Sequence, residues 1–172
     1  TWYVKHNYNL SSHPSSPAKI EGQIDFVIIN KYGVLLIEVK GGGIAVDEND
    51  NYFCYVGCKR YEFQNPFIQV KDYYHTLKNL LNSTPFISRS VVFPHEINFK
   101  LSGPQLCGYK HIFLSKRDLD YKNTEYGKNR AFYDFLTSVS LESRRINVKK
   151  FSPDLTKEQL EKRIWSRFPV LT

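Results

Sequence analysis

β-branched and other apolar residues are most concentrated between Gly22 and Gly43, in the stretch GQIDFVIINKYGVLLIEVKGGG. Two apolar runs, Ile24–Ile29 and Val34–Val39, flank the polar connection Asn30-Lys31-Tyr32-Gly33, a pattern that predicts a β-hairpin. With Lys31 and Tyr32 as the central residues of the turn, Asn30 pairs with Gly33, and counting outward brings Asp25 opposite Glu38. Strand alternation then puts Lys40 on the face of Glu38, with Val39 pointing away. Before the hairpin, Trp2–Leu10 predicts a strand and Ser11–Ala18 a Ser/Pro-rich loop. After it, Ile44–Val46 and Tyr52–Val56 predict a second small hairpin turning through Asp47–Asn51. Asn65-Pro66 is a helix start, Asn as N-cap and Pro at the first helical position. Phe67, Val70, Tyr74, Leu77 and Leu81 recur at helical spacing as its buried stripe, with Gln69 and Tyr73 on one flank. That helix is expected to end near Asn82-Ser83, ahead of Pro85.

Ser90–Phe93, stopped by Pro94, and Tyr109–Leu114 read as further strands. A strand, a long helix and a returning strand predict a crossover joining parallel strands, hence an α/β fold with a mixed sheet. Asn129–Ser143 is predicted helical, burying Phe132, Phe135, Leu136 and Val139, and a basic run, Arg144, Arg145, Lys149 and Lys150, follows. A last helix runs from Ser152-Pro153 through Phe168, with Leu155, Leu160, Ile164 and Trp165 as its apolar residues. The expectation is a single domain over residues 1–172, with a core at about 22–115 and a helical C-terminal part at about 129–168. The net charge of +7 and pI of about 9.2 favour a polyanionic partner such as nucleic acid. No stretch has the length of a membrane span, and no signal peptide opens the chain. Three cysteines, an odd number, fit a reducing compartment and a cytoplasmic location. Methionine is absent, so Thr1 is not an initiator and the chain is expected to be part of a longer protein.

The chemistry concentrates at one end of the central hairpin. Like charges directly opposed across two strands repel, and the apolar neighbours of Asp25 and Glu38 add a desolvation cost. A divalent cation, or a proton shared by the two carboxyls, removes that cost. Two acids and an amine beside Gly41, Gly42 and Gly43 suit metal-assisted hydrolysis of a phosphodiester: hard oxygen ligands hold Mg²⁺, and Lys40 orients or helps deprotonate the attacking water. Glycines let a nucleic-acid backbone approach the main chain. Lys59 and Arg60 form a small basic patch, and Gln69 and Tyr73 end in groups able to reach a phosphate or a carboxylate. Glu21 is a candidate third acid. The competing reading has Asp25 and Glu38 as solvated strand-end acids with Lys40 as a surface partner. A one-residue slip would send Asp25 to the other face, so register decides.

Taken together, Ile24-Asp25, Gly33 with the apolar run after it, Ile37-Glu38-Val39-Lys40-Gly41, and Asn65-Pro66-Phe67 followed by Gln69 resemble the nuclease-related domain (NERD) family of the PD-(D/E)xK nuclease superfamily. The resemblance covers about Gly22 to Leu81. It implies a restriction-endonuclease-like core, a mixed β-sheet flanked by α-helices in the order α-β-β-β-α-β, and Mg²⁺- or Mn²⁺-dependent cleavage of DNA. By matching position, Asp25 and Glu38 are the implied metal ligands, with the Val39 carbonyl completing the site and Lys40 serving the nucleophilic water. Gln69 with Tyr73 is similar to the Gln-x-x-x-Tyr pattern of RecB-like nucleases, implied to orient DNA or the active lysine. One departure is the core's first helix, which often carries a further glutamate: this chain opens on a strand instead. Family members also occur fused to helicase or kinase domains, so a helicase is an implied partner. The rival functions are a non-catalytic nucleic-acid-binding module directing a neighbouring motor, and a protein-interaction domain using the exposed aromatics.

Overall fold

In the computed structural model, the apolar runs on either side of the Asn30–Gly33 connection form paired strands. The structure describes residues 2–10, 22–30, 33–81, 87–96, 113–116, 152–161 and 170–171. Strands β1 (Trp2–Leu10), β2 (Gly22–Asn30) and β3 (Gly33–Val39) are followed by β4 (Ile44–Val46), β5 (Tyr52–Val56) and β6 (Lys59–Phe63). Helix α1 (Pro66–Leu80), strands β7 (Ile87–Phe93) and β8 (Phe113–Ser115), helix α2 (Pro153–Glu161) and strand β9 (Val170–Leu171) complete the order. The strands hydrogen-bond in the orders β8-β7-β3-β2-β1-β9 and β4-β5-β6. The first of these sheets is mixed, since β7 and β8 are parallel while β2 pairs antiparallel with β1 and β3. The fold class is mixed α/β.

The chain groups into two compact units, one within Thr1–Ile37, Val70–Arg89 and Val139–Thr172, the other within Glu38–Gln69 and Ser90–Ser138. In the first unit, β2 and β3 pair from Asn30↔Gly33 to Phe26↔Ile37, the register a two-residue turn requires. Val27, Ile29, Leu36 and Ile24 are fully buried, so both faces of the hairpin are covered. This explains continuous apolar runs in place of clean alternation. On the α1 residues of this unit, Val70, Tyr73, Leu77 and Leu80 are buried and Tyr74 is half-buried, so Tyr73 takes the place in the stripe predicted for Tyr74. Gly22 makes room for it: a Cβ there would lie 2.4 Å from Tyr73 Cε1.

Helix α2 starts as predicted, with Ser152 accepting the Leu155 and Thr156 amides at its Oγ and carbonyl. It packs against β2 through Thr156 and Leu160. Leu155, another apolar residue of this helix, is 60% exposed. Leu155 and Leu160 are five residues apart, roughly 140° around a helix, so one stripe cannot hold both. Tyr3 donates its hydroxyl hydrogen bond to Asp154, and Lys157 Nζ lies 4.8 Å from the centre of the Tyr3 ring.

In the second unit, Asn65 caps α1 with its side-chain oxygen, which accepts the Phe67 amide at 2.9 Å. Phe67 is buried edge-on against Tyr52 and Phe93. The predicted β4–β5 hairpin is present but belongs to a three-stranded meander, since β6 pairs back on β5 from Tyr52↔Phe63 to Val56↔Lys59. Gly57, at φ +60°, makes the tight turn. The predictions for Ser11–Ala18, Glu21, the turn residues Lys31 and Tyr32, most of Tyr109–Leu114, Asn129–Ser143 with its basic run, and the last helix beyond Glu161 lie outside the described residues.

Candidate functional site

Burial along β3 continues into its charged end. Glu38 is only 2% exposed, although it is ionisable and next to the strand terminus. Lys40 Nζ sits 2.7 Å from Glu38 Oε1, so Glu38 and Lys40 share a face as the alternation predicts. The Lys40 amide donates to the Val92 carbonyl at 3.0 Å, which ties its backbone to β7. Its ammonium also lies 5.8 Å from the centre of the Phe63 ring, within cation–π range. The cost of burying the Glu38 carboxylate is therefore offset by an ammonium in the chain itself.

The glycines that follow are held from a distant segment. Gly42 N donates to His95 Nδ1 at 3.1 Å, and Ile44 N donates to Glu96 Oε1 at 2.7 Å. A turn sets these two side chains, with the Glu96 amide on the Phe93 carbonyl at 3.2 Å and the Lys116 amide on the Glu96 carbonyl at 2.9 Å. An imidazole accepting at Nδ1 carries its proton on Nε2. Of the three glycines, Gly42 has the backbone that needs one, at φ +86°. A Cβ on Gly41 or Gly43 would meet only ordinary contacts, at 3.6 Å from His95 and 3.7 Å from Glu96. Sequence patterning does not single out His95 and Glu96. The signal, Pro94-His95-Glu96 closing a strand, lies more than fifty residues from the glycines and has no periodicity linking the two.

Glu38-Val39-Lys40-Gly41, at the end of β3, is among the residues that carry the resemblance. The model of the nuclease-related domain family matches residues 1–94. The chain belongs to that family. No match was found among curated proteins or among solved structures.

The other candidate residues of this nuclease-related domain are placed as follows. Asp25 is half-buried in β2, one residue before the Phe26↔Ile37 pair, while Glu38 is the residue after Ile37. Beside Asp25, between the His6↔Phe26 and Tyr8↔Ile24 pairs, Asn7 of β1 adopts φ +53°. Val39 is half-buried, and so is Gln69 in the first turn of α1. Tyr73, predicted to reach nucleic acid, is 5% exposed, with its ring against Gly22. Lys59 is exposed. Arg60 is exposed but committed: its guanidinium lies 2.8 Å from Asp47 and 2.7 Å from Glu62, and 3.8 Å from the centre of the Phe53 ring. These carboxylates raise the Arg60 pKa, Asp47 foremost. Asp47 in turn is lowered to about 2, first by the Asn51 amide and then by Arg60. The predicted basic patch is thus a lone Lys59 on one side and, on the other, an Arg60 whose charge is more than offset by two carboxylates.

Among the described residues, no three His, Cys, Asp or Glu side chains converge to hold a metal by themselves. Nor is any helix among them long and apolar enough to cross a membrane.

Proposed function

We propose that this nuclease-related domain is a Mg²⁺- or Mn²⁺-dependent deoxyribonuclease with a restriction-endonuclease-like core, working within a larger DNA-processing protein such as a helicase fusion. The observation that carries this reading is Glu38, 2% exposed and 2.7 Å from Lys40 at the end of a strand, in a chain of a nuclease-related family. Strand alternation leads us to expect Asp25 opposite Glu38, one residue beyond the last pair, Phe26↔Ile37, and that expectation supports the reading. The donor set fits a hard dication. Mg²⁺ is usually held by one or two carboxylates together with waters and substrate phosphates, so two acidic side chains suffice. Asp25, Glu38 and the Val39 carbonyl would hold the ion. When bound, it supplies charge for the phosphate in the transition state and lowers the pKa of a water.

The chain's own residues do the rest. Lys40, now paired with Glu38, would orient or help deprotonate the attacking water and face the phosphate. Gln69 orients the strand or the lysine. Gly41 and Gly42 let the DNA backbone approach, and Lys59 contacts a phosphate further out.

A second reading, a non-catalytic DNA-binding module, is favoured by one observation: Lys40 already neutralises Glu38 without any metal. Incubating linear and circular DNA with the protein in Mg²⁺, Mn²⁺ or EDTA separates the two. The nuclease reading expects cleavage that EDTA abolishes and that Asp25→Asn and Glu38→Gln reduce by orders of magnitude, because each ligand supports several kcal/mol of transition-state stabilisation. Calorimetric titration of Mn²⁺ gives the independent check. Equal affinity in the parent and Glu38→Gln proteins refutes the ligand assignment, and metal binding without cleavage favours the binding module.

A further inference from the structure

The β4–β5–β6 meander has two faces of unlike character, and the difference points to what one of them binds. Along β6, alternation puts Lys59, Tyr61 and Phe63 on one face and Arg60 and Glu62 on the other. The cross-strand pairs Tyr52–Phe63, Cys54–Tyr61 and Val56–Lys59 share the first face, while Phe53–Glu62 and Tyr55–Arg60 share the second. The second face is electrostatically closed: Arg60 bridges Asp47 and Glu62, and its guanidinium lies over Phe53. The first face carries Lys59 and no acid from β5 or β6, and it begins at Phe63, whose ring lies under the Lys40 ammonium. Exposure rises outward from there, from half-buried Phe63 to Tyr61 at 49% and Val56 at 65%, with Lys59 beside it.

We infer that this face is a track for single-stranded DNA leading away from Lys40, with Tyr61 stacking a base and Lys59 contacting a phosphate. The inference deepens the proposed nuclease reading by naming the form of its substrate. Residues two apart on a strand are about 6.7 Å apart. That step is twice the roughly 3.4 Å between stacked bases of a duplex, so the track suits a strand whose bases are unstacked. Half-exposed aromatics next to a cation are how proteins hold such strands without reading sequence. The charge pattern supports the same partner, because a polyanion is attracted to Lys59, which no acid of β5 or β6 opposes on its face, and finds Arg60 already satisfied on the opposite side.

Tyr55 supplies the control, since it is 61% exposed, also a tyrosine, and on the closed face. Affinity of the full chain for a short labelled oligothymidylate and for a duplex of the same length is measured by fluorescence anisotropy in EDTA. Tyr61→Ala is expected to weaken single-strand binding about ten-fold, the scale of one lost stacking contact, and Tyr61→Phe to restore it. Tyr55→Ala should leave it within about two-fold. Lys59→Ala should weaken binding and reduce the magnitude of the salt slope by about one. Equal losses in Tyr61→Ala and Tyr55→Ala overturn the track, as do tighter binding of the duplex and failure of the parent to bind the single strand. Since no metal is present, the result does not depend on cleavage. An intact Tyr61 effect in a protein that never cuts DNA removes the nuclease reading and keeps the track.

Discussion

Two ion pairs of nearly equal length sit in opposite surroundings. Lys40 and Glu38 meet at 2.7 Å with side chains 24% and 3% exposed, whereas Arg60 meets Glu62 at 2.7 Å with side chains 38% and 61% exposed. Distance alone does not rank them. A carboxylate removed from water depends on its partner, and breaking such a pair leaves an uncompensated charge. An exposed pair exchanges its partner for water at little cost. The buried pair also changes how the hairpin is understood. Its sequence calls for a metal or a shared proton to relieve the acids at its end, and the structure shows an ammonium already on Glu38. A dication must therefore share Glu38 with Lys40 or displace it.

The sharpest way to break the comparison is to remove one charge from each region. Lys40→Met keeps most of the stem but leaves Glu38 without its ammonium. It is expected to cost about 3 kcal/mol, the low end for a buried pair because Lys40 itself is partly exposed. Adding Glu38→Gln should recover much of that loss, by about 1–3 kcal/mol of coupling in a double-mutant cycle of urea denaturations. Glu62→Gln, the matching change in the meander, should leave the unfolding midpoint where it was. Equal destabilisation by Lys40→Met and Glu62→Gln would mean that burial does not distinguish the pairs.

Two glycines extend the contrast at smaller amplitude. Gly22→Ala puts a Cβ 2.4 Å from a buried tyrosine ring, and the overpacking should cost about 1–3 kcal/mol. Gly57→Ala meets nothing within 4 Å, and its penalty comes only from φ +60°, about 1 kcal/mol. Thermal unfolding of the two variants gives the order. Combining Gly22→Ala with a smaller residue at Tyr73 should relieve the first and leave the second untouched.

Legibility follows the range of the signals. The hairpin register, the Asn65 cap and the strands β1, β4 and β5 rest on neighbours in sequence, and each lies where its residues predict. Strand β6 is hidden because three of the five residues in Lys59-Arg60-Tyr61-Glu62-Phe63 are charged, and the two aromatics that share a face are too short a run to stand out. Tyr73 and Tyr74 are both compatible with a helical stripe, and the choice depends on Gly22, far earlier in the chain. The His95 and Glu96 brace on the glycine run is invisible for the same reason, since partners brought together only by folding leave no periodic trace. In the site, Glu38 and Lys40 are legible as a pair on one face, while the closing of Arg60 by Asp47 and Glu62 is not.

The smallest expected effect tests the exposed side of the comparison by pH. Asp47 accepts the Asn49 and Asn51 amides at Oδ1, at 3.0 and 2.9 Å, and Arg60 at Oδ2, at 2.8 Å. These donors favour the carboxylate, the Asn51 amide most, and lower its pKa from 3.8 to about 2. A group whose folded pKa is depressed contributes its stability in full above the unfolded value and loses it as pH falls through the folded one. The Asp47–Asn51 turn should therefore stay closed at about pH 5, begin to weaken below the unfolded value of 3.8, and have lost this contribution once the pH is under about 2. Side-chain carboxyl chemical shifts of Asp47 give the midpoint, and the Asn49 and Asn51 amide shifts should follow the same curve. Asp47→Asn should flatten the amide response in that window. Because the carboxylate is at the surface, salt should move the midpoint upward toward the ordinary value. A midpoint near 3.8 at low salt would show that the turn does not hold the charge, and that the Arg60 triad is a crossing of solvated side chains with no hold on the meander.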